Sequence, residues 1–378
     1  MSFHYLDNSA TTRVSEAAAN KALMLMRENF GNPSSLHSFG FSAEKELDFA
    51  RSTIAQAINA KESEIYFTSG GTEANNLAIM GSVEARKRMG KKIVTTAIEH
   101  SSVLDSFKHL ESLGFEVEFV YPKDEQGFDL ADFEKAIDEK TILVSVMLVN
   151  NETGLMPPVS KIPALIKRKG APAAFHIDAV QGFGKENVNV AALRCDLLSI
   201  SAHKIHGPKG VGALFVKKGT RILPRTFGGK QENSIRPGTE ALPLIGAFAV
   251  AASEIKVLEN SEKIKPLNQY LRQKLAEMDD IIINSPEDAS SYILNFSALG
   301  IRSETMLHHL SSQGVYVSSG SACSKGGKSH VLAALHLSPE RADSAIRVSF
   351  SKESTKEDID ALLEALRLGL NTLQRVKL

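Results

Sequence analysis

Short apolar, β-branched runs alternate with longer amphipathic segments between about residues 45 and 255. This alternation predicts a mainly parallel α/β sheet, with ligands bound where the strands end. Two of the predicted helices cover residues 73–89 and 104–113. The predicted strands are Ile65–Thr68, Lys92–Thr96, Val117–Val120, Leu143–Met147, Ala174–Ile177 and Leu197–Ile200, with Val211–Val216 as a candidate antiparallel strand.

The pattern changes after about residue 255, where short strands at 292–296, 315–317 and 346–350 precede a last amphipathic helix. Ser354-Thr355-Lys356-Glu357 resembles a capping box that would begin this helix. Its apolar positions recur at helical spacing: Ile359, Leu362, Leu363, Leu366 and Leu370. We therefore predict a large α/β domain over residues 12–255. A smaller α+β domain would combine residues 1–11 with residues 256–378.

Composition is that of an ordinary globular protein of 378 residues. Its 44 basic and 44 acidic residues cancel, so no overall field attracts nucleic acid or anionic lipid. The longest apolar stretch, around residues 244–252, is too short to span a membrane. Two cysteines exclude a disulfide framework, and the first residues lack the pattern of a signal peptide. We expect a cytoplasmic protein.

A glycine turn follows the first predicted strand, in Phe67-Thr68-Ser69-Gly70-Gly71-Thr72. A strand, a glycine turn and a helix start direct backbone N–H groups at one point, which suits a phosphate group. The alternative is a plain glycine turn with Thr72 as the helix N-cap. Because G-x-G-x-x-G is absent, the segment is not a dinucleotide fingerprint.

Two further strand ends carry charged residues. Asp178 closes an apolar run, where a buried carboxylate needs a cationic partner, either a protonated pyridine nitrogen or a structural arginine. Lys204 directly follows another buried strand, and desolvation there lowers the pKa of an amine. The alternatives are a solvent-facing loop lysine at 204 and Lys209 as the reactive amine. Together, phosphate turn, aspartate and lysine predict a pyridoxal-phosphate (PLP) site in which Lys204 forms the imine.

These strand ends belong to an ordered set of motifs along the chain. The set comprises Gly31-Asn32-Pro33-Ser34-Ser35, Thr68-Ser69-Gly70-Gly71-Thr72-Glu73, Glu99-His100, Val149-Asn150-Asn151-Glu152-Thr153-Gly154, Asp178-Ala179-Val180-Gln181 and Ser201-Ala202-His203-Lys204. In this order they resemble the cysteine desulfurases of the NifS/IscS type. That group lies in the class V aminotransferase branch of the fold-type I PLP enzymes. The likeness runs from residues 5–8 to residues 346–349, nearly the whole chain.

The resemblance implies a cofactor-binding domain built on a mainly parallel sheet of the seven-stranded type, in a homodimer. It also implies which residues would bind PLP: Gly71, Thr72, His100, Asn151, Asp178, Gln181, Ser201, His203, Lys204 and Thr239. By the same resemblance Asp178 would pair with the pyridine nitrogen and Gln181 would bond the phenolic oxygen. No metal is expected.

Further roles follow from the same resemblance. Thr72, Ser201 and His203 would hold the phosphate, and Thr239 would reach it from the other subunit. His100 would stack on the pyridine ring and move protons during catalysis. Substrate would face Asn151 and Arg347, with the Arg347 guanidinium binding the α-carboxylate. Without the family pattern, the favoured interpretation of His100 is a helix N-terminal histidine without a catalytic role, and that of Arg347 is a surface ion pair.

Cys323 lies in the small, polar, glycine-rich segment 318–330 of the smaller domain. Lys325 and Lys328 would favour its thiolate, the form that attacks sulfur. Cys195, by contrast, fits the usual buried and inert cysteine. In the family this segment carries the catalytic cysteine, although familiar members have a longer stretch after it. The resemblance thus implies conversion of L-cysteine to L-alanine. The sulfur would pass as a persulfide on Cys323 to an iron–sulfur scaffold or a tRNA-thiolation protein.

Alternatives within and outside this chemistry remain. Gly326-Gly327-Lys328-Ser329 resembles the end of a P-loop, but Ala322 stands where that motif requires glycine. A selenocysteine lyase or another class V aminotransferase would share the fold, yet an aminotransferase does not need Cys323. A catalytically idle scaffold protein would not need Lys204 or Asp178.

Overall fold

Helices cover both faces of a central sheet in the computed structural model, which describes residues 3–319 and 329–375. In chain order the strands are β1 (His4–Tyr5), β2 (Ile65–Thr68), β3 (Lys92–Thr96), β4 (Glu116–Val120), β5 (Thr141–Met147), β6 (Ala174–Asp178), β7 (Leu197–Ser201), β8 (Gly212–Val216), β9 (Ile281–Ile283), β10 (Ile293–Ala298), β11 (Val315–Tyr316) and β12 (Ala345–Ser349). The α-helices are α1 (Glu16–Arg27), α2 (Ser38–Ala57), α3 (Gly71–Arg86), α4 (Ser101–Ser112), α5 (Leu130–Ala136), α6 (Ile162–Arg168), α7 (Val190–Leu193), α8 (Leu242–Ser253), α9 (Val257–Ala276), α10 (Ser303–Ser312), α11 (His330–Ala334), α12 (Pro339–Asp343) and α13 (Lys356–Thr372).

The central sheet has seven strands in the order β2-β8-β7-β6-β5-β3-β4. Strands β3 to β7 pair in parallel, whereas β8 is antiparallel to both of its neighbours. The predicted mainly parallel α/β sheet is therefore confirmed, as is the antiparallel candidate strand. Because only β8 runs in the opposite direction, the carboxyl ends of β2, β6 and β7 lie at one edge of the sheet.

Apolar side chains fill both sides of this sheet. On one side Leu77 of α3 and Phe107 of α4 join the cluster that contains Leu214 of β8. On the other side α8 belongs to the larger core and is apolar nearly all around, as a helix buried within a protein must be. The apolar stretch 244–252 is thus a core helix. Among the described residues, no helix combines the length and hydrophobicity that crossing a membrane would require.

The second part of the structure contains the antiparallel sheet β12-β10-β9 and the parallel pair β1-β11. The domain boundaries after residues 11 and 255 stay a prediction. The predicted capping box at the start of α13 was wrong by one residue: Thr355 is the N-cap and Asp358 is its partner. Ser354 is not free for this role, because its Oγ accepts the backbone N–H of Ser351 at 3.0 Å.

Two helices begin earlier than their amphipathic pattern predicted. α3 begins at Gly71 rather than residue 73, and α4 begins at Ser101 rather than residue 104. Gly70 and His100 are their N-caps. In both cases the first helical turn is polar because it faces the ligand edge of the sheet, so apolar periodicity does not reveal it.

Gly212 allows the turn after β2 to lie close to the end of β7. It is the first residue of β8 and pairs with Thr68 on one side and Ser201 on the other. A Cβ at this position would lie 2.6 Å from the carbonyl oxygen of Ile200 and 2.9 Å from the Cα of Gly70. Both contacts are with backbone, so a side chain would have to push the strands apart.

We expect Gly212→Ala to lower the free energy of unfolding by about 1–3 kcal/mol, because overpacking forces a backbone shift. Urea unfolding measures this effect. Gly228→Ala is the control, since a Cβ there would meet nothing nearer than the Pro237 Cβ at 3.3 Å. Unchanged stability of Gly212→Ala would contradict the close approach of the two strand ends.

Candidate active site

A cavity of about 360 Å³ opens at the sheet edge where β2, β6 and β7 end. The structure brings most of the predicted site residues together in its wall: Gly71, Thr72, His100, Asn151, Asp178, Gln181, Ser201, His203, Lys204 and Arg347. Thr239 is exposed and does not line this cavity. Cys323, the other predicted site residue, lies outside the described residues.

One end of the cavity suits an anion. Gly71 and Thr72 open α3, and the first N–H groups of a helix have no partner within it. A Cβ on Gly71 would lie 2.7 Å from the Cγ2 of Val180, so glycine is needed for this close approach. The reading of Thr72 as the N-cap is wrong, because Gly70 is the N-cap.

The Ser201 hydroxyl lies in the same wall. Its Oγ is buried and has no hydrogen-bond partner among the described residues. An unsatisfied buried hydroxyl costs about 1–3 kcal/mol, so a ligand oxygen at this point would remove a penalty. His203 lies nearby, and burial together with the Lys204 ammonium lowers its pKa to about 4.

Asp178 ends β6 as a buried carboxylate with hydrogen bonds to both oxygens. Asn75 Nδ2 donates to Oδ2 at 2.7 Å, and the backbone N–H of Val180 donates to Oδ1 at 3.0 Å. Asn75 was missed at the sequence level, although its position four residues after Gly71 places both on one face of α3. These two neutral donors fix the direction of the carboxylate.

Lys204 extends into the cavity from the turn after β7. Its Nζ donates to the carbonyl oxygens of Ser9 at 2.5 Å and Ala10 at 2.8 Å. Lys209 is exposed and lines a different groove, beside Tyr5 and Thr12. The placement therefore favours Lys204 over Lys209 as the reactive amine.

His100 is both the N-cap of α4 and part of the cavity wall. Its Nδ1 accepts the backbone N–H of Ser102 at 3.2 Å, so the proton of the neutral ring is on Nε2. Burial lowers the pKa of His100 below its ordinary value, which keeps the ring neutral. His100 is therefore a helix N-terminal residue that also lines the cavity, and its catalytic role stays a prediction.

Arg347 is buried at the opposite side of the cavity, with 3% of its surface exposed. One terminal nitrogen donates to the Asn151 carbonyl oxygen at 2.9 Å and the other to Asp7 Oδ1 at 2.7 Å. Nε has no partner among the described residues. Arg347 does form an ion pair, but a buried one, and the predicted surface pair was wrong in that respect.

The described residues on either side of the segment 320–328 contact residues in or next to the cavity wall. On one side Ser318 forms a β-bridge with Arg347. On the other side Ser329 Oγ donates to Glu152 Oε2 at 2.5 Å and caps α11. His330 Nε2 lies 2.9 Å from the backbone oxygen of Glu99.

Two buried glutamates beside the cavity have pKa values that are raised to near neutral pH. Burial raises the pKa of Glu99 to about 8, and the nearby Asp178 charge adds to the shift. Burial also raises the pKa of Glu152 to about 7, against the opposing effect of Ser329 and Arg347. In the described part of the chain, here or at any other place, no group of three or more His, Cys, Asp or Glu residues could hold a metal ion.

Comparison with known proteins identifies the family. A family model described as Aminotransferase class-V matches residues 4–362. The chain belongs to the class-V aminotransferase family. Like its structural neighbours it has the fold of the fold-type I PLP enzymes, and its cofactor is PLP.

Several relatives of this class-V enzyme carry more specific names. It is 42% identical over 371 residues to "Cysteine desulfurase IscS" of Clostridium botulinum, covering 96% of this chain and 93% of the relative. A solved "NIFS-LIKE PROTEIN" is 36% identical with a TM-score of 0.93, covering 98% of this chain and all of that one (100%). "SspA in complex with cysteine" is 31% identical with a TM-score of 0.82, covering 93% of this chain and 100% of its own.

The residues of the class-V cavity fit PLP by their chemistry. The start of α3 and the Ser201 hydroxyl, which has no partner among the described residues, suit its phosphate. The buried Asp178 carboxylate suits a protonated ring nitrogen, and the Lys204 amine suits its aldehyde.

We expect Glu152→Gln to be more stable than wild type at about pH 8.5 and equally stable at about pH 5. Folding raises the pKa of Glu152 from 4.5 to about 7, so between these values the folded chain holds a proton that the unfolded chain releases. Wild-type stability therefore falls as pH rises through this window, by on the order of 1–3 kcal/mol, and the amide removes that loss.

Urea unfolding of the two proteins at both pH values measures this difference. Glu111→Gln, an exposed residue on α4, is the control and should leave the pH dependence unchanged. The same pH dependence in Glu152→Gln and wild type would contradict a protonated Glu152.

Proposed function

We propose that the chain is a PLP-dependent cysteine desulfurase. It converts L-cysteine to L-alanine and collects the sulfur as a persulfide on Cys323. The observation that carries this proposal is one cavity that combines Asp178, Lys204 and Arg347 with an anion-binding helix start. The names of the relatives support it, as does the cysteine bound in the SspA structure.

The cavity residues divide the work of holding the cofactor. Gly71, Thr72, Ser201 and His203 bind the phosphate, and Asp178 keeps the ring nitrogen protonated. When bound, PLP supplies an electron sink that weakens the Cα–H and then the Cβ–S bond of the substrate. The Asn75 and Val180 donors fix the direction of the Asp178 carboxylate for this task.

Lys204 and Arg347 act on the substrate. Lys204 would hold the cofactor through its Nζ, and with substrate bound the same Nζ would be the base for the Cα proton. Arg347 binds the substrate carboxylate, using the Nε edge that has no partner among the described residues. Asn151 supports Arg347 through its carbonyl oxygen and faces the substrate.

Cys323 takes the sulfur. Its thiolate attacks the substrate sulfur, the Cβ–S bond breaks, and the products are alanine and the Cys323 persulfide, so no external oxidant is needed. Ser318, which precedes Cys323 by five residues, forms a β-bridge with Arg347. His100, whose proton is on Nε2, would exchange protons with the thiol or the substrate.

Partners and location belong to the same proposal. Thr239 is exposed and outside its own cavity, which supports a homodimer in which it reaches the partner's phosphate site. The persulfide then passes to an acceptor protein, either an iron–sulfur scaffold or a tRNA-thiolation protein, in the cytoplasm. No direct contact with nucleic acid or membrane is part of this function.

Incubation of the PLP-loaded enzyme with L-cysteine should release alanine and add the mass of one sulfur atom to the peptide that contains Cys323. We expect Cys323→Ser to lose the added sulfur and to turn over slower by roughly 10³-fold or more, as when a nucleophile is removed. Amino acid analysis and peptide mass spectrometry provide both readouts.

Cys195→Ala is the matched control, because Cys195 is buried and burial raises its pKa to about 12. Full activity of Cys323→Ser in dithiothreitol would exclude the assigned role of Cys323. Faster turnover of selenocysteine, or of alanine with glyoxylate, than of cysteine would instead support the alternative lyase or aminotransferase.

A further inference from the structure

Lys185 is a buried cation that the mechanism above does not use. It follows β6 in the turn closed by its backbone N–H to the Gly182 oxygen, and only 6% of it is exposed. It lies behind the active-site wall, at a small cavity shared with Lys204 and Tyr292. Burying a lysine is costly without a compensating interaction, so its position calls for a physical reason.

The hydrogen-bond partner of Lys185 among the described residues is a neutral amide. Its Nζ donates to Gln181 Oε1 at 3.0 Å and lies 5.9 Å from the centre of the Tyr292 ring. Burial lowers the pKa of Lys185 to about 7, with the charges of Lys204 and Arg347 adding to the shift and Glu186 opposing it. The contact is therefore not an ion pair. Its effect is to hold the Gln181 side chain, which belongs to the cavity wall.

Gln181 is held at both ends of its amide. Its oxygen accepts from Lys185, and its Nε2 donates to the Ser9 carbonyl oxygen at 2.9 Å. That same carbonyl accepts from Lys204 Nζ at 2.5 Å. An amide nitrogen has two hydrogens, so one remains for a ligand in the cavity that Gln181 lines.

We propose that Lys185 is a positioning residue of the active site: by occupying the oxygen of Gln181, it turns the Gln181 amide nitrogen toward the cofactor. Without Lys185 the amide can rotate and present its oxygen to the cavity. The phenolic oxygen of PLP would then lose a donor and meet an acceptor. This inference rests on the proposed function in that PLP occupies the cavity with its phenolic oxygen beside Gln181.

The test compares Lys185→Met, Gln181→Ala and the double variant with wild type, by cofactor dissociation constant and by the pH midpoint of the visible absorption of bound PLP. Methionine keeps the apolar stem and removes the donor. We expect each single variant to weaken PLP binding by roughly 5- to 50-fold. The double variant should bind PLP no more weakly than the single variant that has the lower affinity. The pH midpoint should shift in the same direction in all three.

Lys92→Met is the matched control. Lys92 is also buried, at 7% exposure, but it pairs with Asp138 at 2.9 Å and does not line the cavity. We expect it to lower stability and leave both cofactor readouts unchanged. Equal cofactor effects of Lys185→Met and Lys92→Met, or additive effects of the Lys185 and Gln181 substitutions, would overturn the proposal.

Gln181→Glu keeps the test decisive if Lys185→Met does not fold. The carboxylate retains an acceptor for Lys185 but has no N–H to offer, so the pH midpoint should move as in Gln181→Ala. An unchanged midpoint in Gln181→Glu would overturn the proposal. Absence of PLP binding in the wild-type protein would instead refute the proposed function itself.

Discussion

The site depends on the Asp178 carboxylate, a charge placed at the end of a strand buried on both faces. The strand β6 supplies the position, and the neutral donors Asn75 and Val180 supply the direction. Neither donor neutralises the charge. A buried carboxylate of this kind is stable only with a cationic partner, and the protonated ring of PLP is a partner of the right shape in the right cavity. We therefore propose that the cationic partner of Asp178 is the cofactor itself.

Two buried groups near this strand end, Glu99 and His176, favour their neutral forms. Burial raises the pKa of Glu99 to about 8 and lowers the pKa of the histidine within β6, His176, to about 3. His176 lies between Ser145 and Ser199, which satisfy both ring nitrogens. A neutral glutamate does not compete with Asp178 for the cofactor nitrogen, and a neutral histidine does not compete with that nitrogen for Asp178. Lys185 extends this arrangement, because its buried amine orients a neutral amide.

Much of the site could be predicted because parallel strands gather their ends at one edge. Asp178 and Lys204 each follow an apolar run, so their meeting in one cavity is a consequence of topology. The burial of Asn75 and Lys185 at the site could not be predicted in this way. Each lies within a helix or turn where a polar residue normally faces solvent, and only the packing of α3 and of the turn after β6 buries them. The capping residue of α13 shifted by one for a related reason, since Ser354 is used by a local turn that no spacing rule reveals.

The most direct test of this account is the protonation state of the cofactor nitrogen beside Asp178. Nitrogen-15 NMR of the enzyme loaded with ring-labelled PLP distinguishes a pyridinium nitrogen from a neutral pyridine. A pyridinium signal is expected in wild type at neutral pH, and a neutral pyridine in Asp178→Asn, where the charge is gone and the size is kept. A neutral pyridine in the wild-type enzyme, or the same signal in both proteins, would contradict the role given to Asp178.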